Sequence, residues 1–150
     1  MINENLQTVV DSVNNILNDT NMADTVESVI LRLVSFGYEP TEDDAWVIAY
    51  SIKGTVNHIL NETNQKVIPD GLFEIAVDMA CGEMLNAKLL SGQLDITGLD
   101  LSGMVQSVKE GDTQVTFSEA ESDEAKFKEL LSWVIRGKGS DLICYRRMRW

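Results

Sequence analysis

The sequence is poor in the residues that support several common classes of small protein. Its 150 residues include two cysteines, two prolines and one histidine. Two cysteines do not make the disulfide framework of a small secreted domain, and one histidine excludes a metal site built from several imidazoles. The start of the chain lacks the basic segment and apolar run of a signal peptide. We therefore expect a protein of a reducing compartment that folds around a hydrophobic core.

Long apolar runs and positive charge are also scarce. No stretch reaches the ~18 consecutive apolar residues of a membrane-spanning helix, and the apolar stretch 79–90 is interrupted by glycine and polar residues. Twelve Lys and Arg stand against 24 Asp and Glu, which gives a net charge of −12. A surplus of this sign repels nucleic acid and anionic membranes. The composition thus predicts no membrane partner and no adhesion of the whole chain to DNA.

The charge is divided unevenly along the chain. Residues 126–150 contain seven Lys and Arg but only Glu129 and Asp141 as acids, a net charge of +5, which leaves −17 for residues 1–125. Opposite charges on two surfaces help to select a partner and fix its orientation. An acidic body with a basic C-terminal arm therefore favours a contact with another protein.

Apolar residues recur at helical spacing along most of the chain. From Leu6 to Leu17 they fall at i, i+3, i+4 and i+7, which predicts one apolar helix face. Four further helices are expected at about 24–37, 40–60, 69–91 and 122–137. Asp24 with Glu27 is expected to cap the second helix, Gly37 to end it, and Pro69 to be the first residue of the fourth. Small residues in the fourth helix predict close approach of a neighbouring helix.

The region between the fourth and fifth helices has no helical period. Residues 104–108 and 113–117 are rich in strand-forming types and enclose a turn at 109–112, which is typical of a β-hairpin. A lone hairpin is marginally stable, so it must pack on helices or another chain. We therefore predict an all-α fold with about five helices in a compact bundle, one inserted hairpin at about 104–117 and an extended C-terminal tail. The helical domain covers 1–139 and the docking tail 140–150.

Residue types that carry enzyme chemistry are few and lack partners. His58 is expected at the edge of an apolar helix face with no nucleophile spaced near it, which favours a structural or exposed role. Cys81 is predicted to be a small buried side chain, and Cys144 to occupy a weak strand position. The acidic run 42–44 is expected to start a helix rather than to bind calcium. We predict no catalytic residue, no metal, no cofactor and no enzymatic activity.

The end of the chain combines rigid aromatic rings with guanidinium groups: Tyr145, Arg146, Arg147, Arg149 and Trp150. These residue types are enriched at the energetic centres of protein interfaces. The same set can hold nucleic acid by pairing with phosphates and stacking on bases. A third interpretation is a last segment that packs on its own domain and leaves its arginines in solvent.

Two segments resemble the head–tail connector proteins of tailed phages and prophages of Gram-positive bacteria. They are VKEGDTQVTF at 108–117 and DLICYRRMRW at 141–150. The helix order, the start of the fourth helix at Ile68 and Pro69, and the segment VDMACGEML at 77–85 agree with this resemblance. It covers the chain from about residue 40 to 150.

The resemblance implies a head-completion adaptor, a structural virion protein that forms a homo-oligomeric ring below the portal. Such a ring extends the DNA channel, which DNA crosses without sequence-specific binding, and offers a surface to a downstream connector or tail-completion protein. The protein would be assembled in the host bacterial cytoplasm and reside at the head–tail junction of the virion.

The resemblance also implies roles for two groups of residues. The first would dock on the portal: Tyr145, Arg146, Arg147, Arg149 and Trp150. The second would contact a neighbouring subunit or line the channel: Lys109, Glu110, Gly111, Asp112 and Thr113. The alternative function is a small nucleic-acid-binding module that uses the basic aromatic tail, and the third is a small enzyme that uses His58 or Cys144.

Overall fold

A computed structural model describes residues 2–100, 123–136 and 139–148. These residues form the helices α1 (Glu4–Leu17), α2 (Ala23–Ser35), α3 (Ala45–Thr63), α4 (Phe73–Leu90), α5 (Asp123–Arg136) and α6 (Gly139–Cys144). Short 3₁₀ turns precede α2, α3 and α4 at Thr20–Met22, Glu42–Asp44 and Asp70–Leu72. The all-α prediction is confirmed, with six helices in the described ranges rather than about five. The hairpin predicted at 104–117 lies outside them.

The helix starts follow local capping chemistry with one correction. The side chain of Asn3 accepts a hydrogen bond from the N–H of Leu6 at 2.9 Å, which satisfies one of the free donors at the start of α1. The prediction that Asp24 caps the second helix is wrong. Asp19 accepts from the N–H of Asn21 at 2.9 Å and starts the 3₁₀ turn that leads into α2. The chain is therefore already helical at Asp24, which lies in the first turn of α2.

Helix α4 lies at the centre of the bundle and packs against α2, α3 and α5. Its middle part, from Ala76 to Leu85, is buried on most sides. A Cβ added at Gly82 would lie 3.0 Å from the Cγ1 atoms of Val134 and Ile135, so the absence of a side chain allows α5 to approach α4. The predicted close approach along this helix is confirmed.

A glycine also closes the turn after α2. Gly37 has a φ of 86°, a conformation that glycine adopts without strain. Its position also needs space, because an added Cβ would lie 2.8 Å from the carbonyl oxygen of Gly98. The chain is fixed there by the N–H of Asp100, which donates to the carbonyl of Phe36 at 2.7 Å. The predicted end of the second helix at Gly37 is confirmed.

The C-terminal part is more helical than the sequence suggested. Residues 139–144 form α6, so the predicted extended tail begins only at Tyr145, and Cys144 ends a helix rather than occupying a strand. Leu142 of α6 is buried in a small cluster with Ile59 and Leu72. This contact joins α6 to residues far away along the chain, which no local sequence pattern shows.

Within the part of the chain that the structure describes, no helix combines the length and the apolar character needed to cross a bilayer.

Candidate functional site

The tail from Tyr145 to Met148 lies against the loop that joins α3 to α4. The N–H of Arg147 donates to the carbonyl of Thr63 at 2.7 Å. The side-chain amide of Asn64 donates to the carbonyl of Arg147 at 2.9 Å, and that of Gln65 donates to the carbonyl of Tyr145 at 2.8 Å. All three bonds use backbone atoms of the tail. The side chains of the tail are thus not required for these bonds.

The loop is suited to this role because α3 ends there. The last carbonyls of a helix lack partners inside it, and the tail supplies a donor to one of them, that of Thr63. Asn64 follows in the left-handed conformation, with a φ of 52°, which asparagine tolerates better than most residues. That conformation ends the helix at the residue whose amide holds the tail.

Tyr145 packs on the loop at Gly71. A Cβ added at Gly71 would collide with the hydroxyl and ring of Tyr145. Glycine at this position therefore provides room for the aromatic ring, and the tail and the start of α4 are in direct contact.

The structure brings together three of the five predicted portal-docking residues. Tyr145, Arg146 and Arg147 are adjacent and exposed, and Met148 beside them is 77% exposed. Arg149 and Trp150 lie outside the described residues. The predicted subunit or channel contacts, Lys109, Glu110, Gly111, Asp112 and Thr113, also lie outside them.

A groove of about 580 Å³ runs along α3 between the helices that surround it. Tyr50, Gly54 and His58 line it from α3, and Met79 and Glu83 line it from α4. Residues from α5 and α6 complete the wall: Ile135 and Leu142. Nothing would contact a Cβ at Gly54 within 4 Å, so the groove is open at this point. Among the described residues that line the groove, Glu83 is the one carboxylate and none is Lys or Arg.

Thr55 is the least expected group in this groove. Its side chain lines the groove and the residue is 4% exposed, yet its hydroxyl has no hydrogen-bond partner among the described residues. Buried polar groups are usually paired. The groove therefore contains a polar site that an incoming group can satisfy.

The candidate catalytic residues occupy separate environments. His58 lies on the exposed side of α3 in the groove, whereas Cys81 is fully buried and donates to the carbonyl of Val29 at 3.5 Å. Burial, reinforced by the charge of Asp78, raises the pKa of the Cys81 thiol, which stays protonated. The prediction of a small buried side chain at Cys81 is confirmed.

The other cysteine, Cys144, is exposed. Across the described ranges, no group of three or more His, Cys, Asp and Glu side chains is placed to bind a metal.

The acidic run before α3 contains one inward carboxylate. Asp44 is buried and accepts hydrogen bonds from the ammonium of Lys88 at 2.7 Å, from the hydroxyl of Tyr38 at 2.8 Å and from the N–H of Thr41 at 3.0 Å. Burial opposes its ionisation, but these donors together outweigh that effect and lower the pKa of Asp44. Burial and the bond to Asp44 raise the pKa of Tyr38. The prediction that residues 42–44 start a helix is confirmed. The ion pair between Asp44 and Lys88 was not predicted.

Sequence reasoning also missed the groove and the loop that holds the tail. The ion pair joins residues 44 positions apart and the tail bonds join residues more than 79 apart, so no local pattern reveals them. The turn-forming residues Asn64 and Gly71 were the available signals for the loop. In comparisons with protein-family models, with curated proteins and with solved structures, this chain has no match.

Proposed function

We propose that this protein is a structural adaptor subunit of a phage head–tail connector. In this role it forms a ring below the portal, joins head to tail and extends the DNA channel at the head–tail junction of a virion assembled in the bacterial cytoplasm. The proposal starts from the sequence resemblance. The observation that carries it is the tail, which is held by its backbone while Arg146 and Arg147 stay exposed for a partner.

The charge distribution supports a channel role. Residues 1–125 carry −17, so a ring of such bodies would neutralise few DNA phosphates and would let the genome pass without adhering. The basic C-terminal region would in turn favour a contact with an acidic protein surface. The charge distribution thus supports a channel role for the body and a protein contact for the tail.

The test is electron microscopy of this protein mixed with the portal protein of the same genome. We expect rings of the adaptor on the portal with the full chain and none with a chain that ends at Cys144. This truncation retains Leu142, which is buried, so the body remains folded. A matched control is Lys53→Ser with Lys128→Ser, which removes two exposed cations away from the tail. Equal ring formation by the full and truncated chains, or no ring with either, would refute the proposal.

The exposed pair Arg146 and Arg147 also favours a second candidate, a nucleic-acid-binding module. That function predicts DNA binding that weakens with salt, with a slope of roughly −0.9 for each phosphate contacted. It also predicts that the chain ending at Cys144 no longer binds. A titration with duplex and single-stranded DNA at several salt concentrations distinguishes the two functions. The adaptor role predicts no DNA binding that depends on the tail.

A further inference from the structure

Exposed aromatic rings and carboxylates lie together at the N-terminal end of α3. Trp46 and Tyr50 are 59% and 66% exposed, and their ring centroids are 5.8 Å apart. Glu39, Glu42 and Asp43 are exposed just before them, and within the described residues none of the three makes an ion pair. We call these five residues the acidic end. Two neighbouring rings exposed to water, beside carboxylates that form no ion pair with the described residues, favour a partner with both apolar and cationic groups.

Two lysines lie near the acidic end, and one of them, Lys53, is exposed one turn beyond Tyr50 on the same face of α3. Lys88 reaches this part of α3, but its ammonium is bound to the buried Asp44. The groove opens beside Tyr50. Its described lining includes Glu83 and the hydroxyl of Thr55, which has no partner among the described residues, but no Lys or Arg. An incoming basic segment would therefore meet negative charge at the rim and space for an apolar side chain below it.

The opposite end of α3 has the complementary character. The loop after α3 exposes Lys66 and Val67, and the tail that it holds exposes Arg146, Arg147 and Met148. We call these five residues the basic end. Glu62, Asp70 and Glu74 are also exposed around the loop, so the excess of positive charge at this end is carried by the tail. Val67 and Met148 are 76% and 77% exposed and supply apolar groups that match the groove in kind.

The length of α3 separates the two ends. Its 19 residues rise about 1.5 Å each, which places them about 28 Å apart. The acidic and basic ends therefore do not meet within one copy. We propose that the acidic end of one copy binds the basic end of a second copy. Such a contact joins two different patches, so it repeats from copy to copy and closes into a ring when the rotation allows.

This inference deepens the ring role proposed above and rests on it. It assigns the arginines of the tail to the neighbouring copy rather than to the portal, so that loss of the tail prevents the ring that the portal binds. It assigns the subunit contact to particular residues: the guanidinium groups of Arg146 and Arg147 would pair with Glu42 and Asp43 and lie over the ring of Trp46. Exposed charge pairs are screened by salt. Association should thus weaken between about 0.05 and about 0.5 M salt while the apolar part of the contact persists.

The test uses two variants that each disable one end. Trp46→Ala with Tyr50→Ala removes the rings of the acidic end, and Arg146→Glu with Arg147→Glu reverses the charge of the basic end. All four side chains are exposed, so the fold is retained, and circular dichroism checks it. Molar mass is followed by light scattering over a rising protein concentration. Lys126→Glu with Lys128→Glu, two lysines of α5 that belong to neither end, is the matched charge control.

We expect the wild-type chain to form oligomers that grow with concentration, and each variant alone to associate at least about tenfold more weakly. An equal mixture of the two variants retains one intact pair of ends, so it should form dimers and nothing larger. The proposal is overturned if the mixture does not associate, if the control weakens association equally, or if the wild-type chain stays monomeric at every soluble concentration.

The same variants on the portal separate the two proposals. Rings formed on the portal by both variants would overturn this interface and leave the adaptor function standing. A wild-type chain that neither associates nor binds the portal would overturn the adaptor function itself.

Discussion

Asp44 in the body and Arg147 in the tail are both charged, but different parts of each residue fix its position. The carboxylate of Asp44 is buried among three donors, including the ammonium of Lys88 at 2.7 Å. The guanidinium of Arg147 is exposed, and its backbone makes the contacts with Thr63 and Asn64. The side chain thus fixes Asp44 in the body, whereas the backbone fixes Arg147 in the tail. A segment fixed in this way keeps its side chains available for a partner.

The largest expected effect concerns the buried pair of the body. Lys88→Met leaves Asp44 buried without its cation, so the free energy of unfolding should fall by about 3 kcal/mol. Urea denaturation measures it. The matched control is Lys53→Met on the exposed face of α3, with a change within about 0.5 kcal/mol. Equal changes in the two variants would show that the buried pair does not hold the body.

Two helical glycines should respond in opposite directions. Gly82→Val pushes a branched side chain against Val134 and Ile135 and should cost about 2 kcal/mol. Gly54→Ala meets nothing within 4 Å and should stabilise α3 by about 0.5–1 kcal/mol, because alanine favours the helix. Thermal unfolding compares them. If Gly82→Val were neutral, α5 would not be packed closely on α4.

The pH dependence of the body follows from the lowered pKa of Asp44. A carboxylate with a lowered pKa in the folded state stabilises the fold above its usual pKa, near 4, and this stability is lost as the pH falls through the folded pKa. Asp44→Asn should therefore be less stable than the wild type at pH 7, and the difference should narrow in acid. Urea denaturation from pH 7 down to pH 3 measures it. A constant difference would contradict the assignment.

The smallest expected effect concerns the bonds that hold the tail. Gln65→Ala removes the amide that donates to Tyr145, and Asn64→Gly removes the one that donates to Arg147 while keeping the left-handed turn. Each bond contributes about 1 kcal/mol or less. The amide hydrogen of Arg147 should therefore exchange a few-fold faster, with global stability unchanged. Gln7→Ala on α1 is the control, and a global loss of stability would mean that the tail supports the body.

The features that could be predicted from the sequence are those with a local cause. The apolar spacing from Leu6 to Leu17 predicted α1 correctly, and the turn at Gly37 requires a conformation that glycine alone adopts freely. Helix α6 was not predicted, and its buried residue Leu142 contacts a cluster with Ile59, which is far away along the chain.

The sequence predicted which residue types belong to the candidate site but not the contacts that they make. The sequence indicated that Tyr145, Arg146 and Arg147 were suited to a partner, because aromatic and guanidinium groups occur together there. It contained no sign that Asn64 and Gln65 bind the backbone of the tail, or that the buried hydroxyl of Thr55 has no partner within the described ranges. These features arise from the packing of distant segments.

The most direct test of the account is the amount of this protein that sediments with its portal, measured for the full chain and for the chain ending at Cys144. The account predicts that both chains are folded, that the full chain sediments with the portal, and that the shortened chain stays in solution. Equal sedimentation of the two folded chains would contradict it, because the tail would then contribute nothing to the contact.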